Sequence, residues 1–198
     1  MYIFFAKALR QSVDNRLALP IKEAMRIFLV GFMGSGKSYL GRELALQAQL
    51  PFYDLDEVIE RREGRSIAAI FADSGEEYFR QREADCLREL NSPKGFVLAC
   101  GGGAPCFYNN MAWMNEQGAT VYLDTPESVL LGRLLPERNK RPLLAKLDEA
   151  QLAHFIRQLN EKRRDCYAEA KYRFRNDVAE GASERLLLFL REAHVLHS

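Results

Sequence analysis

Along this chain, apolar positions cluster in short blocks, and the spacing changes from block to block. "MRIFLVG", Met25 to Gly31, is a continuous apolar run that stops at a glycine, the pattern of a strand buried on both faces. "PFYDLD" follows a proline as a second short strand. "GFVLAC" reads as a third, "ATVYLDTP" as a fourth and "YRFRN" as a fifth. Between these runs the period becomes helical. "SYLGRELALQAQL" places Leu40, Leu44 and Ala48 on one face. Helices are predicted at about Asp56 to Arg62, Ser66 to Ala72, Glu76 to Leu90 and Glu127 to Leu135. Two more are predicted over "DEAQLAHFIRQLNEKRRDCYAEA" and "ASERLLLFLREAHV". "PERNKRPLLAKL" is basic, proline-bearing and weakly periodic, which predicts a mobile loop. Strands alternating with helices predict an α/β fold, with a central parallel sheet of about five strands and helices on both faces.

Residues 1–24 break this pattern. They offer no clear strand and end in "LALPIKEAM". Two readings stand side by side: a misplaced start with Met25 as the true initiator, or a genuine N-terminal helix. Either way, 1–24 is an N-terminal extension and 25–198 a single domain. The chain has 198 residues, enough for one well-packed domain and too few for two generous ones. It shows no internal repeat and no low-complexity segment.

Composition narrows the function classes. Hydrophobic residues make up 47% and charged residues 28%, as in soluble globular proteins. The formal net charge of +1 gives no global basic field for nucleic acid or an anionic membrane. No apolar run approaches the roughly 20 residues of a membrane span. The opening "MYIFFAKALRQ" is too briefly apolar for a secretory signal, so a cytoplasmic protein is expected. Cys86, Cys100, Cys106 and Cys166 form no C-x-x-C pair and no metal-like spacing with His154, His194 or His197. Free thiols in a reducing compartment are the expected state.

The chemistry begins at "GFMGSGKS", Gly31 to Ser38, which fits G-x-x-x-x-G-K-[ST]. It follows a predicted strand and opens a predicted helix, where a phosphate cradle must sit. Its glycines let backbone N–H groups turn inward to phosphate oxygens, and the helix N-terminus adds partial positive charge. Lys37 is expected to reach the β- and γ-phosphates, and the Ser38 hydroxyl to ligate magnesium. Gly34, Ser35, Gly36, Lys37, Ser38 and the adjoining Tyr39 are the candidate nucleotide contacts. "DLD" adds Asp54 and Asp56 at the end of the second strand, where alternate residues of an extended segment share a face. One carboxylate can hold magnesium and the other accept a proton from an attacking hydroxyl. A solvated loop pair or a helix cap at Asp56 is the competing explanation. Many phosphate-binding ATPases end a later strand in a metal-holding acid, but "FVLACGGGAPC" ends in glycines. Arg80, Arg141 and Arg163 stand out from the other basic residues only by their surroundings.

Taken in order, "GFMGSGKS", "FYDLDEVIERREGRSIAAIF", "GEEYFRQRE", "GGGA", "RPLL" and the R-x-x-x-Y of Arg163 and Tyr167 resemble the shikimate kinase family. The resemblance runs from about Met25 to about Tyr172. It implies a three-layer P-loop kinase fold with a mobile lid, here about 134–147, and ATP as co-substrate with Mg2+. It implies that Asp54 serves magnesium, so the third strand needs no acid, and that Asp56 meets the substrate hydroxyl. Arg80 and Arg163 would clamp the substrate carboxylate, and Gly101, Gly102 and Gly103 would bring backbone N–H against the substrate. Arg141 would swing in from the lid over the phosphates, and Arg133 would lie along the adenine. The tail departs from the family pattern. "FRNDVAEGASE" lacks the expected proline after the last strand, leaving residues near Arg175, Asn176 and Asp177 as adenine candidates. The implied activity is phosphorylation of the shikimate 3-hydroxyl by a cytoplasmic, monomeric enzyme of aromatic amino acid biosynthesis, with no nucleic acid or membrane partner. The alternatives are another small-molecule kinase, such as a gluconate kinase, or a non-catalytic nucleotide-binding regulator.

Overall fold

The first apolar run becomes the middle of a parallel sheet. The structure, a computed structural model, describes residues 24–140 and 144–196. Residues 1–23 of the N-terminal extension, and Arg141 within the expected lid, lie outside the described residues. The strands are β1 (Met25–Val30), β2 (Phe52–Asp54), β3 (Gly95–Ala99), β4 (Ala119–Asp124) and β5 (Tyr172–Arg175). Their spatial order is β2-β3-β1-β4-β5, and every pairing is parallel. The helices are α1 (Lys37–Ala48), α2 (Leu55–Glu63), α3 (Ile67–Glu89), α4 (Asn110–Gln117), α5 (Glu127–Leu134), α6 (Glu149–Ala168) and α7 (Ala182–Glu192).

Period-2 geometry sends alternate residues of β1 to opposite layers. Phe28 and Val30 join a cluster with Leu55 and Ile59 of α2 and Phe79 and Leu87 of α3. Ile27 and Leu29 face Leu40 and Leu44 of α1 and Leu186 and Leu190 of α7. With both faces covered, a strand must be apolar throughout, which is why β1 reads as an unbroken run. The chain passes from β1 outward to β2 on one side and, later, to β4 on the other. The C-terminal ends around β1 and β3 therefore form the crevice where ligands bind in open α/β sheets.

The two helical segments expected at Ser66 to Ala72 and Glu76 to Leu90 both form: they run on as α3 but are divided at Gly75, whose φ of 81° and ψ of 175° lie outside the helical region. Helix α4 was not expected; it is short, and it starts from Asn109 at a positive φ with no side-chain cap. In the basic stretch expected as a mobile loop, a 3-10 turn covers Arg138–Lys140, and Leu144 is buried among Phe32, Leu130, Leu134, Leu152 and Ile156.

Candidate functional site

The cradle forms where β1 ends. Gly34 and Gly36 take φ values of 78° and 93°, a region open to glycine and costly for other residues. This curl delivers the chain into α1 at Lys37. Lys37 Nζ donates to Gly31 O at 2.9 Å and to Phe32 O at 2.8 Å, which sets the ammonium over the loop. Beside it, Ser38 Oγ donates to Asp54 Oδ2 at 2.6 Å. A cavity of about 510 Å³ opens above these groups, and Lys37, Ser38, Asp54, Asp56, Gly101 and Gly102 are among its walls.

The two carboxylates meet by a different route from the one the sequence suggested. Strand β2 ends at Asp54, and Asp56 already lies in the first turn of α2. Asp54 is the helix N-cap, its Oδ1 accepting from Asp56 N at 3.1 Å. Capping geometry, not strand alternation, turns both toward the cradle. Strand register places Asp54 opposite Ala99, at the mouth of the glycine turn. Burial, then the negative charge of Asp54, push the Asp56 carboxyl above its ordinary range, and Lys37 offsets part of this.

The glycines serve close approach. A Cβ on Gly103 would stand 2.7 Å from both terminal nitrogens of Arg80. One on Gly101 would stand 2.5 Å from Glu83 Oε1 and 3.2 Å from Asp56 Oδ1, and one on Gly102 would stand 3.4 Å from Arg163 Nη1. The turn is therefore the hub on which Arg80, Glu83, Asp56 and Arg163 converge. Tyr167 Oη, one helical turn beyond Arg163 on α6, donates to Gly102 O at 2.5 Å and ties that helix to the hub.

Arg80 is nearly buried. Its Nη1 donates to Glu83 Oε2 at 2.8 Å, and its Nε and Nη2 donate to Glu76 Oε1 at 3.2 and 3.1 Å. Its guanidinium also lies 4.4 Å from the centre of the Phe107 ring. Glu83 is fully buried, and its Oε1 has no hydrogen-bond partner among the described residues. Burial outweighs the pull of Arg80 and raises the Glu83 carboxyl to about 7. Glu83 ends the "GEEYFRQRE" motif, and its part in the site is not evident from the motif alone. Its i,i+3 spacing from Arg80 on a helix was the available signal.

Arg133 lies on the other side of the cradle, donating from Nη1 to Gly34 O at 3.2 Å. With Tyr39, Leu40, Asn176, Ala179 and Ala182 it lines a slot of about 250 Å³ that shares Gly36, Tyr39 and Arg133 with the larger cavity. Tyr39 is 65% exposed there. Of the three tail candidates, Asn176 reaches the cradle: it is buried, and its Nδ2 donates to Ser35 O at 2.6 Å. Arg175 instead pairs with Asp124 and Asp177. Among the described residues no helix is long and apolar enough to cross a membrane.

Comparison with known proteins gives a consistent result. The family model described as shikimate kinase matches residues 33–191. A shikimate kinase from Bacteroides fragilis is 41% identical over 160 residues, covering 81% of this chain and 89% of the relative. The crystal structure of shikimate kinase from Bacteroides thetaiotaomicron superposes with a TM-score of 0.79 at 39% identity, covering 84% of this chain and 98% of that one. Shikimate kinase from Acinetobacter baumannii, solved in complex with shikimate, gives 0.75 at 36% identity, covering 87% and 94%.

Proposed function

The chain belongs to the shikimate kinase family, and we propose that its cavity transfers the γ-phosphoryl group of ATP to the 3-hydroxyl of shikimate, giving shikimate 3-phosphate and ADP. The carrying observation is the convergence of Arg80, Arg163 and Asp56 on one glycine turn beside the phosphate cradle. Two guanidinium groups suit a planar carboxylate, and a carboxylate next to the cradle suits a hydroxyl that must lose a proton.

Each group then has a task. Gly34, Ser35, Gly36 and Lys37 hold the phosphates, and Lys37 offsets charge that grows toward the β- and γ-oxygens in the transition state. Asp56 accepts the proton of the attacking hydroxyl; its raised carboxyl makes it a stronger base than an exposed aspartate. Arg80 and Arg163 fix the substrate carboxylate, with Glu83 and Glu76 holding the Arg80 fork in place. Gly101, Gly102 and Gly103 allow the substrate to approach the backbone. Tyr39, Arg133 and Asn176 bound the slot proposed for adenine. Arg141, outside the described residues, keeps the phosphate-facing role that the family resemblance implies. Leu134 and Leu147, which pack in one cluster, would anchor the two ends of the lid at 134–147.

The residues present fit Mg2+. Ser38 Oγ and Asp54 Oδ2 are hard oxygen donors 2.6 Å apart beside the cradle. No cluster of three or more His, Cys, Asp or Glu that could hold a metal occurs among the described residues. A site with one or two protein oxygens, completed by phosphates and water, is the usual manner of holding this ion. When bound, it neutralises phosphate charge. A monomer built on the single kinase domain of residues 25–198 is the proposed working unit. Phosphorus NMR of the product tests the reading. A phosphate coupled to the proton at C3 is expected, and a phosphate on another oxygen would overturn the placement of Asp56.

A further inference from the structure

A second cavity, of about 520 Å³, lies between α6 and the β4–β5 side of the sheet. No residue assigned above to phosphate, metal or acceptor lines it. Strand register builds one wall. Across β4 and β5, Tyr122 pairs with Arg173 and Asp124 with Arg175, and period-2 alternation puts Tyr122 and Asp124 on one face. Helical spacing builds the other wall. Asn160, Arg164 and Tyr167 follow one another at intervals of four and three along α6, so they share a face.

The lining offers a fixed ring and an uncommitted cation. Tyr122 is half-buried, and the fully buried Tyr167 stacks on it, with ring centres 5.1 Å apart and planes 25° apart. The bond from Tyr167 Oη to Gly102 O fixes the pair in place. Asp124 is already answered: its Oδ2 accepts from Arg173 Nε and Nη2 at 3.1 and 2.9 Å, and from Arg175 Nη1 at 3.4 Å. Arg164 and Asn160, in contrast, make no hydrogen bond or ion pair with any described residue. Asp165, the other acid on the lining, is exposed, so solvent and salt screen it.

A guanidinium without a partner, an amide one turn before it and a rigid aromatic face suit a ligand with a carboxylate at one end and a flat ring at the other. The volume is within the range of small-molecule sites. We propose that this cavity binds a small aromatic carboxylate, with the carboxylate on Arg164 and Asn160 and the ring against Tyr122.

Calorimetric titration of the full chain with benzoate, in the presence of saturating shikimate and ADP, tests the site. Saturable binding of one benzoate per chain is expected, with no displacement by shikimate. Cyclohexanecarboxylate has the same charge but no flat ring, and should bind about threefold or more weakly. Inorganic phosphate should bind more weakly than benzoate. Arg164→Ala gives up no internal bond, so the variant should melt as the wild type does and keep its affinity for ATP. Its affinity for benzoate should fall about tenfold, the low end for loss of a charge-assisted bond. Absence of saturable binding, competition with shikimate, or an affinity unmoved by Arg164→Ala would overturn the proposal. Cyclohexanecarboxylate binding as tightly as benzoate, or phosphate binding more tightly, would overturn the ligand class.

Discussion

Arg80 is a structural ion to which the proposed reading also gives a binding role. Its fork is held by Glu83 below and Glu76 at the rim, and a Cβ on Gly103 would collide with it. Arg80→Ala removes charge-assisted bonds of about 1.5–3 kcal/mol each, so two lost bonds raise the shikimate KM by about a hundredfold at the least. Steady-state kinetics with each substrate varied would show this, and an unmoved KM would exclude the clamp. Glu83 carries a second prediction. Its folded carboxyl titrates near 7 against an ordinary 4.5, so between these values the native state binds more protons than the unfolded chain. The stability it contributes is fully present below about 4.5 and is lost as pH rises through about 7. Glu83→Gln should lack this dependence. In urea unfolding, wild type should lose stability relative to the variant as pH rises across that window, and parallel curves would contradict the assignment. Asp56, Arg80 and Arg163 were legible from sequence through their motifs. Glu83 was not assigned, because a glutamate in an acidic and basic helix looks like surface charge until its burial is seen.

At the scale of elements, the glycine turn is the part most sensitive to a single methyl group. Gly103 has φ −95° and ψ −22°, a conformation alanine adopts freely, so Gly103→Ala adds no backbone strain. Its Cβ would press on the Arg80 guanidinium at 2.7 Å. The expected outcome is a raised shikimate KM with near-normal ATP binding and melting temperature. A collapse of ATP binding instead would show that the turn supports the cradle rather than the substrate. The strands β1, β3 and β4 were readable because a doubly covered sheet demands continuous apolar runs. Helix α4 was missed because it is short and lacks a capping side chain. The meeting of Asp54 with Asp56 was expected, but strand alternation was the wrong cause, since the helix begins within the motif and Asp54 caps it.

Across the whole molecule, the strand order gathers residues from distant stretches at the C-terminal ends of the strands. The cradle follows β1, Asp54 ends β2 and Asp56 opens α2, the glycines follow β3, and α6 brings Arg163 from far along the chain. Sequence order therefore says little about which side chains meet, while parallel pairing at the C-terminal strand ends says a great deal. The phosphate cradle is common to many kinases, so under the proposed reading it is the hub of Arg80, Arg163, Asp56 and the glycines that selects the acceptor. The most direct test is ADP formation from Mg·ATP with shikimate, gluconate, a nucleoside monophosphate or no acceptor supplied in parallel. Turnover with shikimate alone is the expected result. Turnover with gluconate, or silence with every acceptor despite measurable ATP binding, would contradict it.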